Sequence, residues 1–172
     1  MRLVALIALC VAAGASGGLL AGCSFMYKPG CLGEFKPNGF TQTDKVLVYE
    51  AAQGVNNFII AHGGDESIAV SDEGLCSIEK GSLEGLVLGK WTGKKILVDT
   101  DKIGREFEGA YYPKNMKNVV MHEMLHSLGF QHIQGYGIMN AQIVFNGDFS
   151  EGDVAECVRV GVCSSATKDA GE

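Results

Sequence analysis

Apolar side chains recur at intervals of three and four residues in two long stretches of the chain. The first stretch follows Thr41-x-x-Asp44, which has the spacing of a capping box, and it continues until Gly63-Gly64 stops the pattern. It predicts a helix over about 43–62. A short strand over 46–49 stays open as the alternative, because β-branched and aromatic residues are concentrated there.

The second stretch begins after Pro113 and is apolar around most of a helix surface. It predicts a largely buried helix over about 115–128, which Gly129 is suited to end. A third, shorter helix is predicted over about 150–160, because Ser150-x-x-Asp153 again has the spacing of a capping box.

Strand features lie between the first two helices. Apolar and β-branched runs predict strands over 67–71 and 94–100, and a short strand over 86–88. Between Asp101 and Pro113, glycines and three aromatic residues favour an edge strand and a loop. Together these elements predict an α+β fold with a small mixed, twisted sheet and a backing helix, followed by two further helices.

The length and the charge of the chain limit the kinds of function that the protein can have. A chain of 172 residues favours one domain, and 47% apolar with 20% charged residues is typical of a folded globular protein. The formal net charge is −6, and lysine and arginine form no cluster. The sequence therefore lacks the electrostatic footprint of a nucleic-acid-binding protein, and we expect no nucleic-acid partner.

The N-terminus has the features of an export signal. Met1-Arg2 precedes an apolar run over 3–13, which small residues interrupt too early for a membrane-spanning helix. The following Leu20-Ala21-Gly22-Cys23 resembles the lipobox of bacterial lipoproteins. The resemblance implies a signal peptide over 1–22 and lipid attachment at Cys23, which would become the mature N-terminus.

The domain organisation and localisation follow from that interpretation. Residues 23–40 are expected to form a tether or lead-in, and 41–172 a single domain. The protein is expected to be exported and anchored to a bacterial membrane by lipid, and Ser24 favours the outer membrane if the cell is Gram-negative. Ordinary cleavage near Ala13-Gly14-Ala15, which would release a secreted protein, stays open.

Four cysteines remain in the predicted mature chain after Cys23. In an exported domain they predict two disulfides, and we favour Cys157 with Cys163, which leaves Cys31 with Cys76. No two of them have the C-x-x-C spacing of a zinc site, so disulfides are the favoured interpretation.

Three of the four histidines lie in one short window, His122-Glu-x-x-His126-x-x-Gly129-x-x-His132. On a helix, the first two histidines are one turn apart on one face, so both imidazoles can reach one ion, with Glu123 beside them. Gly129 permits the positive φ that lets the chain reverse and bring in His132 as a third ligand.

This pattern resembles the extended motif of the metzincin zinc peptidases. The resemblance continues into a Met-turn, since Gly135-Tyr136-Gly137-Ile138-Met139-Asn140 follows closely, and into Ser150-x-x-Asp153, which is similar to the start of the C-terminal helix in matrixins. It implies a metzincin-like fold of matrixin-like or minimal bacterial type, with Met139 beneath the metal-binding histidines. Ile133 differs from the residues that established subfamilies carry at its position, so no subfamily is assigned.

The resemblance implies one catalytic Zn²⁺ held by His122, His126 and His132. Water is expected as the fourth ligand, because Ala141 replaces the tyrosine that some subfamilies use there. The expected activity is a zinc-dependent endopeptidase that hydrolyses extracytoplasmic proteins or peptides, with a zinc-bound water as nucleophile and Glu123 as general base. Two alternatives are a zinc-binding surface lipoprotein without turnover and a metallohydrolase of a non-protein amide, such as a peptidoglycan cross-link.

Further expectations concern the surroundings of this motif. A peptide substrate is expected along an edge strand, over either 104–112 or 83–89. Asp99 and Asp101 are weak candidates for structural Ca²⁺, with a solvated turn favoured. A disulfide at Cys31 is favoured over a zinc-blocking role, and His62 is expected to be a surface or helix-end residue.

Overall fold

The computed structural model describes Cys31, residues 33–142 and residues 148–164. Within these ranges the chain has a mixed α+β fold with a five-stranded sheet and four helices. The elements in chain order are β1 (Glu34–Asn38), α1 (Gln42–Ala61), β2 (Ala69–Val70), β3 (Cys76–Lys80), β4 (Gly89–Trp91), β5 (Lys95–Val98), α2 (Thr100–Glu106), α3 (Tyr111–Ser127) and α4 (Glu151–Arg159).

The sheet is mostly parallel, in the order β2-β1-β3-β5-β4, and β4 is the antiparallel strand at one edge. Alternate side chains are buried along β1, β3 and β5. The register places Pro37 beside Ile78 and Ile78 beside Ile96, so the buried side chains share one face. That face belongs to the same apolar core as the helices.

Strands β1 and β3 were not predicted, although they occupy the middle of the sheet. In β1, Pro37 argues against a central strand because proline lacks an N–H. The carbonyl of Phe35 accepts from the N–H of Ser71, so the backbone groups of Phe35 face β2. Because the direction alternates along a strand, the nitrogen of Pro37 faces the same side. It lies beyond Val70, where β2 ends. No ladder bond is lost there. The predicted lead-in over 23–40 thus contains a strand of the sheet.

The first predicted helix is confirmed as α1, and the alternative strand over 46–49 is excluded. The Thr41 hydroxyl accepts from the N–H of Asp44 at 3.1 Å and caps the helix. Helix α3 packs against α1, α2, β4 and β5. It begins at Tyr111, earlier than predicted, because Pro113 falls in the first turn, where a missing N–H breaks no helical bond. The third predicted helix is confirmed as α4, with Ser150 and Asp153 forming a capping box.

Four strand predictions need correction. The strands predicted over 67–71 and 94–100 are shorter, as β2 and β5, and residues 86–88 are loop that leads into β4. The prediction of an edge strand over 101–113 is wrong, because this segment contains α2 and the start of α3. Helix α2 has only seven residues, too few to show a helical period, and its stability depends on the burial of Ile103 and on the cap that Asp99 provides.

Both favoured disulfides are confirmed. One joins Cys31, before β1, to Cys76 at the start of β3, and the other joins Cys157 of α4 to Cys163 after it. Two disulfides indicate an oxidising compartment outside the cytoplasm. The predicted signal peptide over 1–22 and the predicted lipid attachment at Cys23 lie outside the described residues. Among the helices of the described part, none has the length and apolar character needed to cross a membrane.

Removal of either disulfide is expected to destabilise the fold. The loss of stability should be larger for the disulfide that closes the longer loop of the chain. The two cysteine pairs are separated by 45 and 6 residues in the chain. In the chain-entropy model, replacing Cys31 and Cys76 by serine should lower the free energy of unfolding by ~3–4 kcal/mol, and replacing Cys157 and Cys163 by ~2 kcal/mol. Urea denaturation of the two double variants measures both values. A larger loss for the pair Cys157 and Cys163 would contradict this explanation.

Candidate metal centre

The C-terminal half of α3 carries two histidines of the site. His122 and His126 are one turn apart on the same face of the helix. The helix ends at Ser127, and Gly129 has a φ of +93°, a left-handed conformation that side-chain-bearing residues rarely adopt. The chain reverses there, as predicted, and returns His132 to the two histidines of the helix.

The three Nε2 atoms converge on one point. Those of His122 and His126 lie 3.0 Å apart, and each lies 3.1 Å from that of His132. Nitrogen ligands of a tetrahedral ion with bonds of ~2.1 Å would be separated by ~3.4 Å. In the described residues, these histidines form the group of three potential ligands that could hold a metal ion.

Backbone carbonyls orient two of these imidazoles. Nδ1 of His122 lies 2.7 Å from the carbonyl oxygen of Ile138, and Nδ1 of His126 lies 2.8 Å from that of Phe130. A carbonyl only accepts, so each Nδ1 carries the hydrogen and each Nε2 presents a lone pair toward the other histidines. Facing lone pairs repel one another unless a cation lies between them. The donor set therefore fits a small divalent ion that prefers nitrogen ligands.

Burial favours the neutral form that metal binding requires. Burial, together with the neighbouring histidines, lowers the pKa of His122 to about 4, against the opposing effect of the hydrogen bond to Ile138. Burial is also the main reason why the pKa of His126 is lowered. Both imidazoles are therefore uncharged at neutral pH and can donate a lone pair without first losing a proton.

Glu123 is buried beside this cluster and contacts the edge strand of the sheet. Its Oε2 accepts a hydrogen bond from the N–H of Trp91 in β4, at 2.6 Å. Burial raises its pKa to about 7, although the Trp91 N–H opposes the increase. The close approach of β4 depends on Gly89, because a Cβ there would lie 2.6 Å from Val119 and 2.9 Å from the Glu123 side chain. The carboxyl group is thus held between helix and sheet.

Asp153 of α4 holds the segment that follows the third histidine. Its carboxylate is fully buried and accepts from the N–H groups of Ile138 and Met139, at 3.1 and 2.9 Å, and from Ser150. Through Ile138, it supports the carbonyl that orients His122. Met139 is fully buried in this segment. The sequence identified Asp153 only as a helix cap, and its bonds to the predicted Met-turn depend on tertiary structure.

Glu156 of α4 holds the segment over 129–132, in which the chain reverses. Its Oε1 accepts from the N–H of Gln131, next to His132, at 2.5 Å, and Arg159 bonds both to Glu156 and to the carbonyl of Gly129. The hydrogen bond from Arg159 is the main reason why the pKa of Glu156 is lowered. Sequence reasoning missed this pair, since an i,i+3 ion pair on a helix usually indicates only a solvated face.

The other predicted ligands have different partners. Cys31 is disulfide-bonded, so the predicted zinc-blocking alternative is excluded in this state. Asp99 accepts from the N–H groups of Leu83 and Lys102 and caps α2, and Asp101 pairs with Lys80. The two carboxylates thus bind the protein's own donors. The favoured interpretation of a solvated turn is wrong, because Asp99 is buried at the N-cap of α2 and Asp101 lies in the first turn of that helix. His62 lies at the C-terminal end of α1, as predicted, with Nδ1 2.7 Å from the carbonyl of Phe58.

The metal centre opens into a cleft of about 780 Å³. Strand β4 and the loop before it form one wall, and residues 140–142 also line the cleft. Much of the lining is apolar, from Leu86, Val87, Leu88, Phe107 and Val119. An extended chain with an apolar side chain therefore has a complementary surface beside Glu123.

The sequence matches no known protein-family model and no curated protein. Three converging imidazoles and a buried carboxyl group lie in one cleft, and they are the residues that the sequence motif predicts.

Metal removal is expected to lower the stability of the fold. A bound ion would link α3 to the segment after Gly129, so a tightly held ion should contribute ~4 kcal/mol, or on the order of 10 °C in the melting temperature. Calorimetry of the metal-loaded protein with and without a chelator measures this shift. The double variant His126→Ala/His132→Ala should show no shift with chelator. An unchanged melting temperature after complete metal loss from the parent would contradict a stabilising site.

The Glu156 carboxylate is expected to stabilise the fold in a pH-dependent way. Its pKa is lowered in the folded state, so its contribution is present in full above the ordinary value near 4.5 and is lost as the pH falls through the folded-state pKa. At pH 7, Glu156→Gln should cost ~1–2 kcal/mol, the value of a charged hydrogen bond. The difference between parent and variant should shrink below a pH of about 4. Chemical denaturation at several pH values measures it, and a pH-independent difference would contradict a role of the charge.

Proposed function

We propose that this protein is a zinc-dependent endopeptidase of metzincin-like type. The observation that carries the proposal is the position of Glu123, buried directly beside the three converging histidines and facing the same cleft. A structural metal site does not require a buried carboxyl group with a raised pKa. The resemblance of 122–132 to the metzincin motif supports the same conclusion.

Zinc is the metal that best suits this donor set. Three neutral imidazoles with an open fourth position are a ligand set of catalytic zinc sites, and they leave the ion its full charge. When bound by His122, His126 and His132, Zn²⁺ would supply Lewis acidity, which lowers the pKa of a water ligand to ~7 and polarises the scissile carbonyl. Every other step depends on the protein's own side chains and backbone.

Glu123 acts as the general base. Burial raises the pKa of Glu123 to about 7, near neutral pH, so the carboxylate can take the proton of the attacking water and then deliver it to the leaving amine. The N–H of Trp91 fixes the orientation of one carboxylate oxygen, which leaves the other free for the proton transfer. Because this N–H belongs to the edge strand, the base is aligned with the surface on which a peptide would lie.

The substrate is a peptide that binds along β4. The Leu88 carbonyl accepts from the Asp99 N–H, and the Thr92 N–H donates to the Lys95 carbonyl, so these two residues face β5. By the alternation of an antiparallel ladder, Gly89 and Trp91 direct their backbone groups away from the sheet. An extended peptide can bond as an added strand to the N–H and carbonyl of Gly89 and to the carbonyl of Trp91, while the Trp91 N–H stays bonded to Glu123. Of the two predicted edges, the one over 104–112 contains no strand, since it spans the end of α2, a turn and the start of α3, and β4 begins at the end of the other.

The lining of the cleft and the cellular compartment further restrict the range of possible substrates. The apolar lining beside Val119 favours peptides with an apolar side chain next to the scissile bond. Two disulfides favour substrates outside the cytoplasm. Lipid attachment through Cys23 would place the enzyme at a bacterial membrane, as the lipobox predicts.

Glu123→Gln is the variant that tests the proposal. It keeps the size of the side chain and removes the base, so kcat/KM should fall by ~10²–10⁴ while zinc binding is retained. Cleavage of a quenched-fluorescence peptide library measures the rate, and elemental analysis measures about one zinc per chain in both proteins. Glu50→Gln, which removes a surface carboxylate paired with Lys117, is the matched control and should cleave like the parent.

Two outcomes would contradict the proposal. If the zinc-loaded parent cleaves no peptide but releases peptides from cross-linked peptidoglycan, the enzyme acts on a non-protein amide. If it cleaves neither substrate, the site binds zinc without turnover. Equal rates in parent and Glu123→Gln would leave the metal site in place but remove the assigned base.

A further inference from the structure

A lysine side chain holds the loop before the edge strand. Nζ of Lys102, on α2, donates to the carbonyl oxygens of Leu83, Gly85 and Val87, at 2.6, 2.9 and 3.0 Å. These three carbonyls all belong to residues 83–87, which we call the rim loop. The ammonium group thus binds one loop with three backbone contacts, each within ordinary hydrogen-bond distance.

These contacts use the full donor capacity of the lysine. An ammonium group has three N–H donors, and the rim loop provides three acceptors. The side chain is only 12% exposed, so an unpaired charge there would be unfavourable. The Asp99 carboxylate lies 3.5 Å away, farther than any of the carbonyls. The loop, rather than the i,i+3 ion pair, is therefore the main partner of the ammonium group.

Asp99 contributes a fourth bond to the same loop. Its Oδ2 accepts from the N–H of Leu83, while its Oδ1 accepts from the N–H of Lys102 and caps α2. The short helix α2 thus presents one anion and one cation to the rim loop. The carboxylate and carbonyl oxygens around Nζ are the kind of ligands that Ca²⁺ binds, and in this protein the lysine is the cation among them.

The rim loop forms part of the active-site cleft. Leu86 and Val87 line the cleft, and Leu86 is 92% exposed, an unusual position for a large apolar side chain. Asp99 and Lys102 bond to the loop's backbone and not to these side chains. The contacts therefore fix the path of the loop and leave its apolar side chains available to a bound molecule.

We propose that Lys102 is a positioning residue that sets the substrate preference of the cleft. By holding three carbonyls of the rim loop, it keeps Leu86 and Val87 beside β4, where they contact an apolar side chain of the peptide. This role rests on the proposed peptidase function. Lys102 does not touch the reacting atoms, so it affects substrate binding and not the chemical step.

Lys102→Met tests this role, because methionine keeps an unbranched side chain and removes the ammonium group. In the zinc-loaded protein, amide hydrogen exchange across 83–88 should rise by about tenfold or more, since the loop loses its three contacts. For the library peptide that the parent cleaves best, KM should rise about tenfold while kcat stays within about twofold. Lys80→Met, which removes a nearby exposed ammonium paired with Asp101, is the matched control and should change neither.

Substrate preference separates a positioning role from a general loss of stability. The same kinetics are measured with a second peptide, in which glycine replaces the apolar residue next to the scissile bond. The parent should prefer the apolar peptide, and Lys102→Met should lose most of that preference. Leu86→Ser should lose it as well with unchanged loop exchange, and this exposed position tests the proposal even if Lys102→Met does not fold.

The outcomes distinguish this proposal from the proposed function. Unchanged exchange across the rim loop in Lys102→Met would overturn the role of Lys102, whatever the activity. Raised exchange with an unchanged preference for the apolar peptide would overturn its link to specificity. A parent that cleaves no peptide would overturn the proposed function and with it the specificity role, while the exchange measurement would still report whether Lys102 holds the loop.

Discussion

Three imidazole nitrogens cannot be brought within about 3 Å of one another by one straight helix, and the chain reversal after α3 satisfies that constraint. Gly129 permits the reversal through its positive φ, and α4 maintains it. Glu156 and Arg159 bond to the backbone on both sides of Phe130, and Asp153 bonds to the backbone of Ile138 and Met139. The histidine cluster that could hold a metal ion therefore depends on a helix that contributes no histidine to it.

The position of the proposed base depends on a second constraint, the distance between α3 and the edge of the sheet. Gly89 lets β4 approach until the Trp91 N–H reaches Glu123. One strand thus orients the base and presents its remaining backbone groups to the cleft. This arrangement links the proposed base to the proposed path of the substrate.

Charged side chains hold the irregular segments around the cleft. Lys102 satisfies carbonyls of the rim loop, and Asp153 and Glu156 satisfy N–H groups after α3. Loops leave backbone groups without the partners that helices and sheets provide, so a partly buried loop needs side chains to replace them. Here each of the loops is bound by a residue of a neighbouring short helix, α2 or α4. These side chains thus hold the loops around the site in place, without additional strands or a larger apolar core.

The sequence by itself determined the features that depend on local spacing. The residues from His122 to His132 carry the three histidines, the carboxyl group and the turning glycine within fewer than two helical turns and one reversal. The approach of His122 to His126 therefore follows from helix geometry, and the return of His132 from the glycine. The caps at Thr41 and Ser150 predicted the starts of α1 and α4 for the same reason, since each acts within four residues. The short separation of Cys157 and Cys163 made their pairing predictable too.

Only the tertiary structure decided the features that depend on distant partners. Strand β1 contains a proline that is tolerated because β2 ends before it, and the seven residues of α2 are helical because Ile103 is buried and Asp99 caps them. The contacts of Trp91 with Glu123, of Glu156 with Gln131 and of Lys102 with the rim loop each join residues at least 15 positions apart. Such contacts have no periodic signal in the sequence, because their energy appears only when the fold brings the partners together.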